Sequence, residues 1–182
     1  MRTGKTVKRF PAKDGREVVL RTPKWEDLDE LLELINSLVD EGAEIGKNKK
    51  VTREEEINWL ASVIARVEKG ETSFLVADVK GKIIASSDVN PRTGYESHVG
   101  GIGIVIRHGY RDVGIGTEIM RTQVDLARKM GLKVLTLTAF ASNERAIHVY
   151  EKVGFVQTGR IPRKHFKDGK YIDEVIMTNL LE

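Results

Sequence analysis

A short turn containing two glycines lies between two apolar segments in the middle of the chain. The turn reads RDVGIG over 111–116 and follows a Val- and Ile-rich segment, 99–106, that is typical of a buried strand. Apolar residues then recur at helical spacing from Thr117 to Met130, and Gly131 follows as a C-cap glycine would. Such a turn presents free backbone N–H groups at the positive end of the helix dipole. The sequence therefore predicts an anion site here, and pyrophosphate is the usual occupant.

The glycine spacing distinguishes between the known classes of phosphate-binding turn. Gly116 is not followed by the Lys-Ser/Thr pair that GxxxxGK[ST] requires, and Ile119 replaces the third glycine of GxGxxG. The residues match R/Q-x-x-G-x-G/A instead, with Arg111, Gly114 and Gly116 in place. An ordinary strand-to-helix turn with two packing glycines is the alternative interpretation.

A second motif lies downstream, in ASNERAIHVYEKVGF over 141–155. Asn143 is placed to cap a short helix that ends before Gly154. With both motifs, the chain resembles the GNAT family of acetyl-CoA-dependent N-acetyltransferases. That family carries an Asn, an Ala, a Tyr and a Gly-Phe pair at this spacing, here Asn143, Ala146, Tyr150, Gly154 and Phe155.

The resemblance implies how acetyl-CoA would be held, without a metal. The turn and the helix start would bind the pyrophosphate, and the strand before the turn would pair with the pantetheine amides after splaying from its neighbour. Asn143 would lie near the pantetheine arm, whether or not it also caps its helix. The implied cofactor residues are Ile104, Ile106, Arg111, Asp112, Val113, Gly114, Ile115, Gly116, Thr117 and Asn143.

Acetyl transfer to an amine needs a proton donor, because attack on the thioester releases a thiolate. A phenol near the sulfur can serve as this general acid. Tyr150 follows Asn143 on a short predicted helix that can direct its hydroxyl inward, and the resemblance gives it this role. A core tyrosine with a hydrogen-bonded hydroxyl is the alternative.

A general base is harder to find in the sequence. Some relatives place a glutamate at the position of Gly100, and glycine cannot do this work. The predicted strand begins at Tyr95, so by strand alternation Glu96 and His98 share the face of Gly100 and could act through a water. For both residues, an ordinary surface position remains the simpler interpretation.

Composition limits the classes of function. The chain has 182 residues and is expected to form one domain over 1–182, with neither a membrane-spanning run nor a signal peptide. The absence of cysteine excludes disulfides and thiolate catalysis and favours a cytoplasmic protein. The histidines show no metal-ligand spacing. A net charge of +3 suits an anionic ligand such as CoA but is too small to indicate nucleic-acid binding.

The surrounding segments predict an α/β protein. A strand over 17–21 precedes a helix capped by Thr22, and a loop over 42–51 leads to a second helix capped by Thr52. In the resembled family, two such helices form a lid over the acceptor, although simple packing would suit them equally. Further strands and helices complete a three-layer α/β/α sandwich with a mixed, largely antiparallel sheet of about six to seven strands. The additional strands are expected over 74–79, 82–89, 95–106, 133–140, 155–159 and 171–180.

The C-terminal segment narrows the resemblance to one broad subgroup. Its D-G-x-Y-x-D-x-x-x-M pattern runs from Asp168 to Met177 and resembles ribosomal-protein N-terminal, polyamine and phosphinothricin-type acetyltransferases. The predicted function is transfer of acetyl from acetyl-CoA to a primary amine, on a small molecule or a protein N-terminus, by direct attack in a ternary complex. A non-catalytic acyl-CoA-binding or sensing module is the alternative. The acceptor amine and a homodimer are left open.

Overall fold

A single eight-stranded sheet with four α-helices accounts for most of residues 2–181, which the computed structural model describes. The strands are β1 (Thr6–Pro11), β2 (Glu17–Arg21), β3 (Ser73–Val79), β4 (Lys82–Pro91), β5 (Val99–Ile106), β6 (Val134–Phe140), β7 (Val156–Lys167) and β8 (Lys170–Leu180). The helices are α1 (Leu28–Asp40), α2 (Arg53–Lys69), α3 (Ile115–Lys129) and α4 (Glu144–Lys152). None of the helices among these residues is long and apolar enough to cross a bilayer.

The sheet has the order β1-β2-β3-β4-β5-β6-β8-β7, and only β5 and β6 run parallel. Helices α1 and α2 pack on one face against β3 and β4, while α3 and α4 pack on the other. The predicted three-layer α/β/α fold is confirmed. The sheet exceeds the predicted six to seven strands because β1 was not foreseen. Phe10 is the one buried side chain of this edge strand, so its apolar pattern is weak.

The parallel pair β5 and β6 separates along its length. Pairing covers only Val99–Gly101 of β5 and Val134–Thr136 of β6. Beyond these residues β5 stays paired with β4 as far as Ile106, and β6 stays paired with β8 as far as Phe140. The two strands therefore splay apart, as the family resemblance implied, and a wedge opens in the middle of the sheet.

The local capping signals are largely confirmed. Thr52 and Glu55 form the expected capping box, with the Thr52 backbone N–H donating to Glu55 Oε2 at 2.8 Å. The predicted start of α1 is wrong. Thr22 Oγ1 accepts from Lys5 N–H and donates to Arg2 C=O, so it is not available as a cap. A single 3₁₀ turn intervenes, and α1 begins only at Leu28.

Two strand boundaries also differ from the prediction. The strand expected from Tyr95 begins at Val99, because a 3₁₀ turn over Gly94–Glu96 precedes it. The strand expected over 155–159 extends to Lys167 as β7, since it pairs with β8 almost throughout. Most β7 side chains are exposed, and the sequence therefore carries little hydrophobic signal for it.

Candidate active site

A cleft of about 1060 Å³ passes through the wedge between β5 and β6. Its lining includes Gly116 and Tyr150 on the α3–α4 face, and Asp88 and Ile45 on the α1–α2 face. The cleft thus reaches both faces of the sheet. Two different molecules can approach its centre from opposite sides.

The glycine turn forms one end of this cleft. Gly114 has φ +85°, a left-handed conformation that glycine adopts readily, and it precedes the first residue of α3. Within residues 2–181, no acceptor bonds the backbone N–H groups of Ile115, Gly116 and Thr117. A Cβ on Gly116 would stand 3.0 Å from Ile106 Cδ1, so this position also needs a small residue. The turn has the features of an anion cradle.

Cationic side chains surround the turn. Arg111 Nε donates to the Ile106 carbonyl at 2.9 Å, and the same guanidinium pairs with Glu41. Lys13, in the loop between β1 and β2, lies against Gly114, with its Cε 3.6 Å from the position of a Cβ there. Sequence reasoning missed Lys13, because nothing in the sequence relates it to a turn about a hundred residues away.

Eight of the ten residues predicted to contact the cofactor line the cleft: Ile104, Ile106, Arg111, Asp112, Gly114, Gly116, Thr117 and Asn143. Val113 and Ile115 do not. Ile115 is fully buried in the core, and Val113 packs against the same core cluster while its carbonyl accepts from Lys13 N–H. Contact with these two residues would have to use their backbone.

Asn143 and Tyr150 occupy opposite ends of α4. Asn143 Oδ1 accepts from Ala146 N–H at 3.2 Å, so the predicted capping role is confirmed. Tyr150 lines the cleft with only 8% of its surface exposed, and burial raises the pKa of its phenol to about 12. Within residues 2–181 no hydrogen bond involves its hydroxyl, unlike that of an ordinary core tyrosine, and burial is the cause of its raised pKa. The phenol is therefore protonated at neutral pH and free to donate.

The general-base candidates from the sequence lie away from the cleft. Glu96 sits in the exposed 3₁₀ turn and pairs with Arg92 at 2.6 Å, and His98 is exposed. Strand alternation does not extend to Glu96, because β5 begins at Val99. Gly100 faces the apolar core, where a Cβ would stand 2.7 Å from Leu132 Cδ1. The face assigned to Glu96 and His98 was therefore wrong.

The opposite end of the cleft is lined by groups that the sequence did not single out. Glu44 in the loop after α1 contacts Ser142, which ties that loop to the segment before α4. His165 of β7 stacks on Phe140 with ring centroids 3.8 Å apart, and its Nε2 is 3.2 Å from Glu174 Oε2. Within residues 2–181, no group of three His, Asp or Glu side chains could hold a metal ion.

Comparison with known proteins agrees with this geometry. An L-methionine sulfoximine/L-methionine sulfone acetyltransferase from Pseudomonas paraeruginosa is 22% identical over 153 residues, covering 83% of this chain and 87% of that protein. A GNAT-family acetyltransferase structure from Streptococcus pneumoniae superposes with a TM-score of 0.80 and 26% identity, covering 91% of this chain and 99% of that one. The structure of yncA from Salmonella typhimurium, solved with its cofactor acetyl-CoA, superposes with a TM-score of 0.79 at 21% identity, covering 91% of this chain and 94% of that one.

The family model described as "Acetyltransferase (GNAT) family" matches residues 27–155. This range includes the glycine turn, the splayed strands and the helix that carries Tyr150. The resemblance seen in the sequence is confirmed, and with it the prediction of an acetyl-CoA-dependent N-acetyltransferase. The chain belongs to the GNAT family of acetyltransferases.

Proposed function

We propose that this acetyltransferase transfers the acetyl group of acetyl-CoA to a primary amine by direct attack in a ternary complex. The observation that carries the proposal is the cleft between β5 and β6, which reaches both faces of the sheet. Donor and acceptor can be bound at the same time, one from each face. No covalent acetyl-enzyme is then needed, in keeping with the absence of cysteine.

The backbone of the glycine turn binds the pyrophosphate. The N–H groups of Ile115, Gly116 and Thr117 are unbonded within the described chain and lie at the positive end of the α3 dipole. Arg111 and Lys13 add positive charge beside them. On the strand, the backbone at Ile104 and Ile106 pairs with the pantetheine amides, because β5 has lost β6 as its partner there.

Tyr150 donates a proton to the departing thiolate. The buried phenol stays protonated well above neutral pH, and no group within residues 2–181 accepts its hydrogen. A free backbone N–H on the splayed part of β5 stabilises the oxyanion that forms when the amine attacks. Asn143 holds the start of the same helix and lies beside the pantetheine arm.

The acceptor binds on the α1–α2 face. The loop after α1 brings Glu44 and Ile45 to the cleft there. The name of the Pseudomonas relative supports an acceptor of the amino-acid type, a small molecule with a primary amine. A peptide N-terminus carries the same α-amino group, so protein acceptors belong to the same proposal. A cytoplasmic location and a homodimer remain predictions.

A screen of amino acids, diamines and short peptides with acetyl-CoA, read by release of free thiol, tests this function. We expect one acceptor class to give turnover well above the hydrolysis rate, with acetylated product confirmed by mass spectrometry. Tight acetyl-CoA binding without transfer to any amine would favour the alternative, a non-catalytic acyl-CoA-binding module.

A further inference from the structure

We propose that Asp88 is the general base that removes the proton from the acceptor amine. This role rests on the proposed function, because it places a proton acceptor in the acceptor half of the same cleft. Asp88 lies on β4 and lines the cleft on the α1–α2 face. Asp88 could not be selected from the sequence, since neither motif includes β4.

The position of Asp88 relative to β5 carries the proposal. Asp88 pairs directly with Gly103, the residue before Ile104. A Cβ on residue 103 would stand 3.3 Å from Asp88 Oδ1, so the carboxyl group occupies space that a side chain there would crowd. Paired residues on neighbouring antiparallel strands lie about 5 Å apart. The Asp88 carboxyl group therefore lies beside the part of β5 that has splayed from β6, where the thioester would be held.

Neighbouring polar groups fix the carboxyl group in place. The amide nitrogen of Asn90 donates to Asp88 Oδ2. The Thr72 hydroxyl lies 2.9 Å from Asn90 Oδ1 and 2.8 Å from the Val89 carbonyl. Asn90 therefore turns its amide nitrogen toward Asp88. Asn90 and Thr72 are positioning residues in this arrangement.

The surrounding charges leave Asp88 suited to proton transfer. On β3 its register partner is the apolar Phe74, and on β5 it is Gly103. Among residues 2–181, Arg66 on α2 is the cation whose field lowers the pKa of Asp88. Other titratable groups that line the cleft on this side include Glu41 and Glu44 after α1, and His165, Lys167 and Glu174 on the last two strands. Burial outweighs Arg66 and Asn90 and raises the pKa of Asp88 to about 6, close to the ideal for a base at neutral pH.

Most other carboxylates of the cleft are paired with a cation or stand away from Gly103. Within residues 2–181, Glu41 pairs with Arg111, and Asp112 pairs with Arg145 at 3.5 Å. Glu174 lies on β8, on the other side of the wedge from β5, with its Oε2 3.2 Å from His165 Nε2. Glu44 contacts Ser142 at the outer loop rather than standing beside β5. Within residues 2–181, no cation lies within ion-pair distance of Asp88, and its side chain lines the cleft beside Gly103.

With Asp88 as base and Tyr150 as acid, every proton in the reaction has a donor and an acceptor. An ammonium acceptor loses one proton to the Asp88 carboxylate and becomes a nucleophilic amine. Its nitrogen forms the new bond to the acetyl carbon, the carbon–sulfur bond breaks, and the thiolate takes the proton of Tyr150. The surplus proton on the new amide nitrogen restores the phenol. Asp88 later releases its proton to water, so each turnover yields the amide, free CoA thiol and one proton.

The wild-type pH dependence of kcat/KM tests this role without any substitution. Two acceptors are compared, a peptide whose N-terminus titrates near pH 8 and an alkylamine that titrates at roughly pH 10. With Asp88 as base, the acidic limb lies near pH 6 for both acceptors, because it reports the enzyme. A limb that follows the pKa of each amine would overturn the proposal, since free amine would then be selected from solution.

Asp88→Asn provides the second test. We expect kcat/KM at pH 7.5 to fall about 10²–10³-fold and the limb near pH 6 to vanish, with acetyl-CoA affinity unchanged. Asn90→Ala should shift the limb to higher pH, because a hydrogen bond that lowers the pKa of Asp88 is lost. Asp125→Asn, the same change on the outer face of α3, should match wild type.

Wild-type activity in Asp88→Asn would overturn this role alone. Absence of turnover in the wild type would overturn the proposed function and this role with it.

Discussion

Glu41, the C-cap residue that follows α1, pairs with Arg111 in the glycine turn. One ion pair therefore joins the loop at the acceptor end to the turn at the cofactor end. The same guanidinium also bonds the last carbonyl of β5, so it spans three elements of the site. The carboxylate of Glu41 offsets much of the charge that Arg111 would otherwise offer to pyrophosphate.

Removing this carboxylate should strengthen cofactor binding. We expect Glu41→Gln to bind acetyl-CoA about two- to five-fold more tightly by calorimetry at low salt, because partly exposed ion pairs are worth about 0.2–1 kcal/mol. The gain should shrink as salt is added. Asp40→Asn, which changes the neighbouring exposed carboxylate that pairs with Lys50, is the matched control. Weaker binding in Glu41→Gln would mean that the pair supports the turn instead of competing for Arg111.

The pyrophosphate assignment is tested by two glycines that share a left-handed backbone. Gly114 has φ +85° and Gly131, at the far end of α3, has φ +82°. Alanine at either site should cost stability by about 1–2 kcal/mol through backbone strain. Only Gly114→Ala should also weaken acetyl-CoA binding, by about tenfold or more, since only this turn faces the cleft. Equal affinities for the two variants, measured by calorimetry, would remove the turn from the binding site.

The loop after α1 should govern the acceptor and not the cofactor. Ile45 and Glu44 line the acceptor half, and the Glu44 contact with Ser142 ties the loop to the segment before α4. We expect Ile45→Ala and Glu44→Gln to change KM for the acceptor and the ranking of acceptors, with acetyl-CoA affinity kept. Ile57→Ala, on an exposed part of α2, serves as control. A loss of cofactor affinity with unchanged acceptor ranking would contradict this division.

Asp88 should also change how the free energy of unfolding depends on pH. Its pKa is about 6 in the folded chain against 3.8 for an ordinary aspartate, so the folded state holds the proton more tightly. Protonated Asp88 therefore stabilises the folded state. This contribution is fully present below the pKa of the unfolded chain, 3.8, and is lost as pH rises through about 6. Asp88→Asn should therefore be more stable than wild type at pH 8, by about 1–3 kcal/mol, with a smaller difference at pH 5. Urea unfolding measures the free energy of unfolding of both proteins at both pH values. An equal difference between variant and wild type at pH 8 and pH 5 would show that burial does not raise the pKa of this carboxyl group.

Much of the site could be predicted because its signals are local. The glycine turn depends on residues that are neighbours in sequence, as does the capping of α4 by Asn143. A glycine in a left-handed turn can be recognised without knowledge of the sheet. The same holds for an Asn whose side chain accepts from the N–H three residues later. The position of Tyr150 on its helix followed in the same way.

The remaining groups could not be predicted because they depend on the pairing of strands. Asp88 belongs to the site because it lies opposite Gly103, and Lys13 belongs to it because it contacts Gly114. Neither relation has a local pattern. The error at Glu96 has the same origin, since strand alternation was extended into a segment that turns away before β5 begins. β1 was missed because an edge strand needs few buried side chains.

The most direct test of the account is the turnover of Tyr150→Phe. The substitution keeps the ring beside Phe155 and removes only the hydroxyl of this cleft-lining residue. We expect kcat to fall about 10²–10⁴-fold while acetyl-CoA affinity and the circular dichroism spectrum stay at wild-type values, because the hydroxyl acts only in the transition state. A wild-type kcat, under conditions where the chemical step limits the rate, would contradict the account and leave Tyr150 as a core residue.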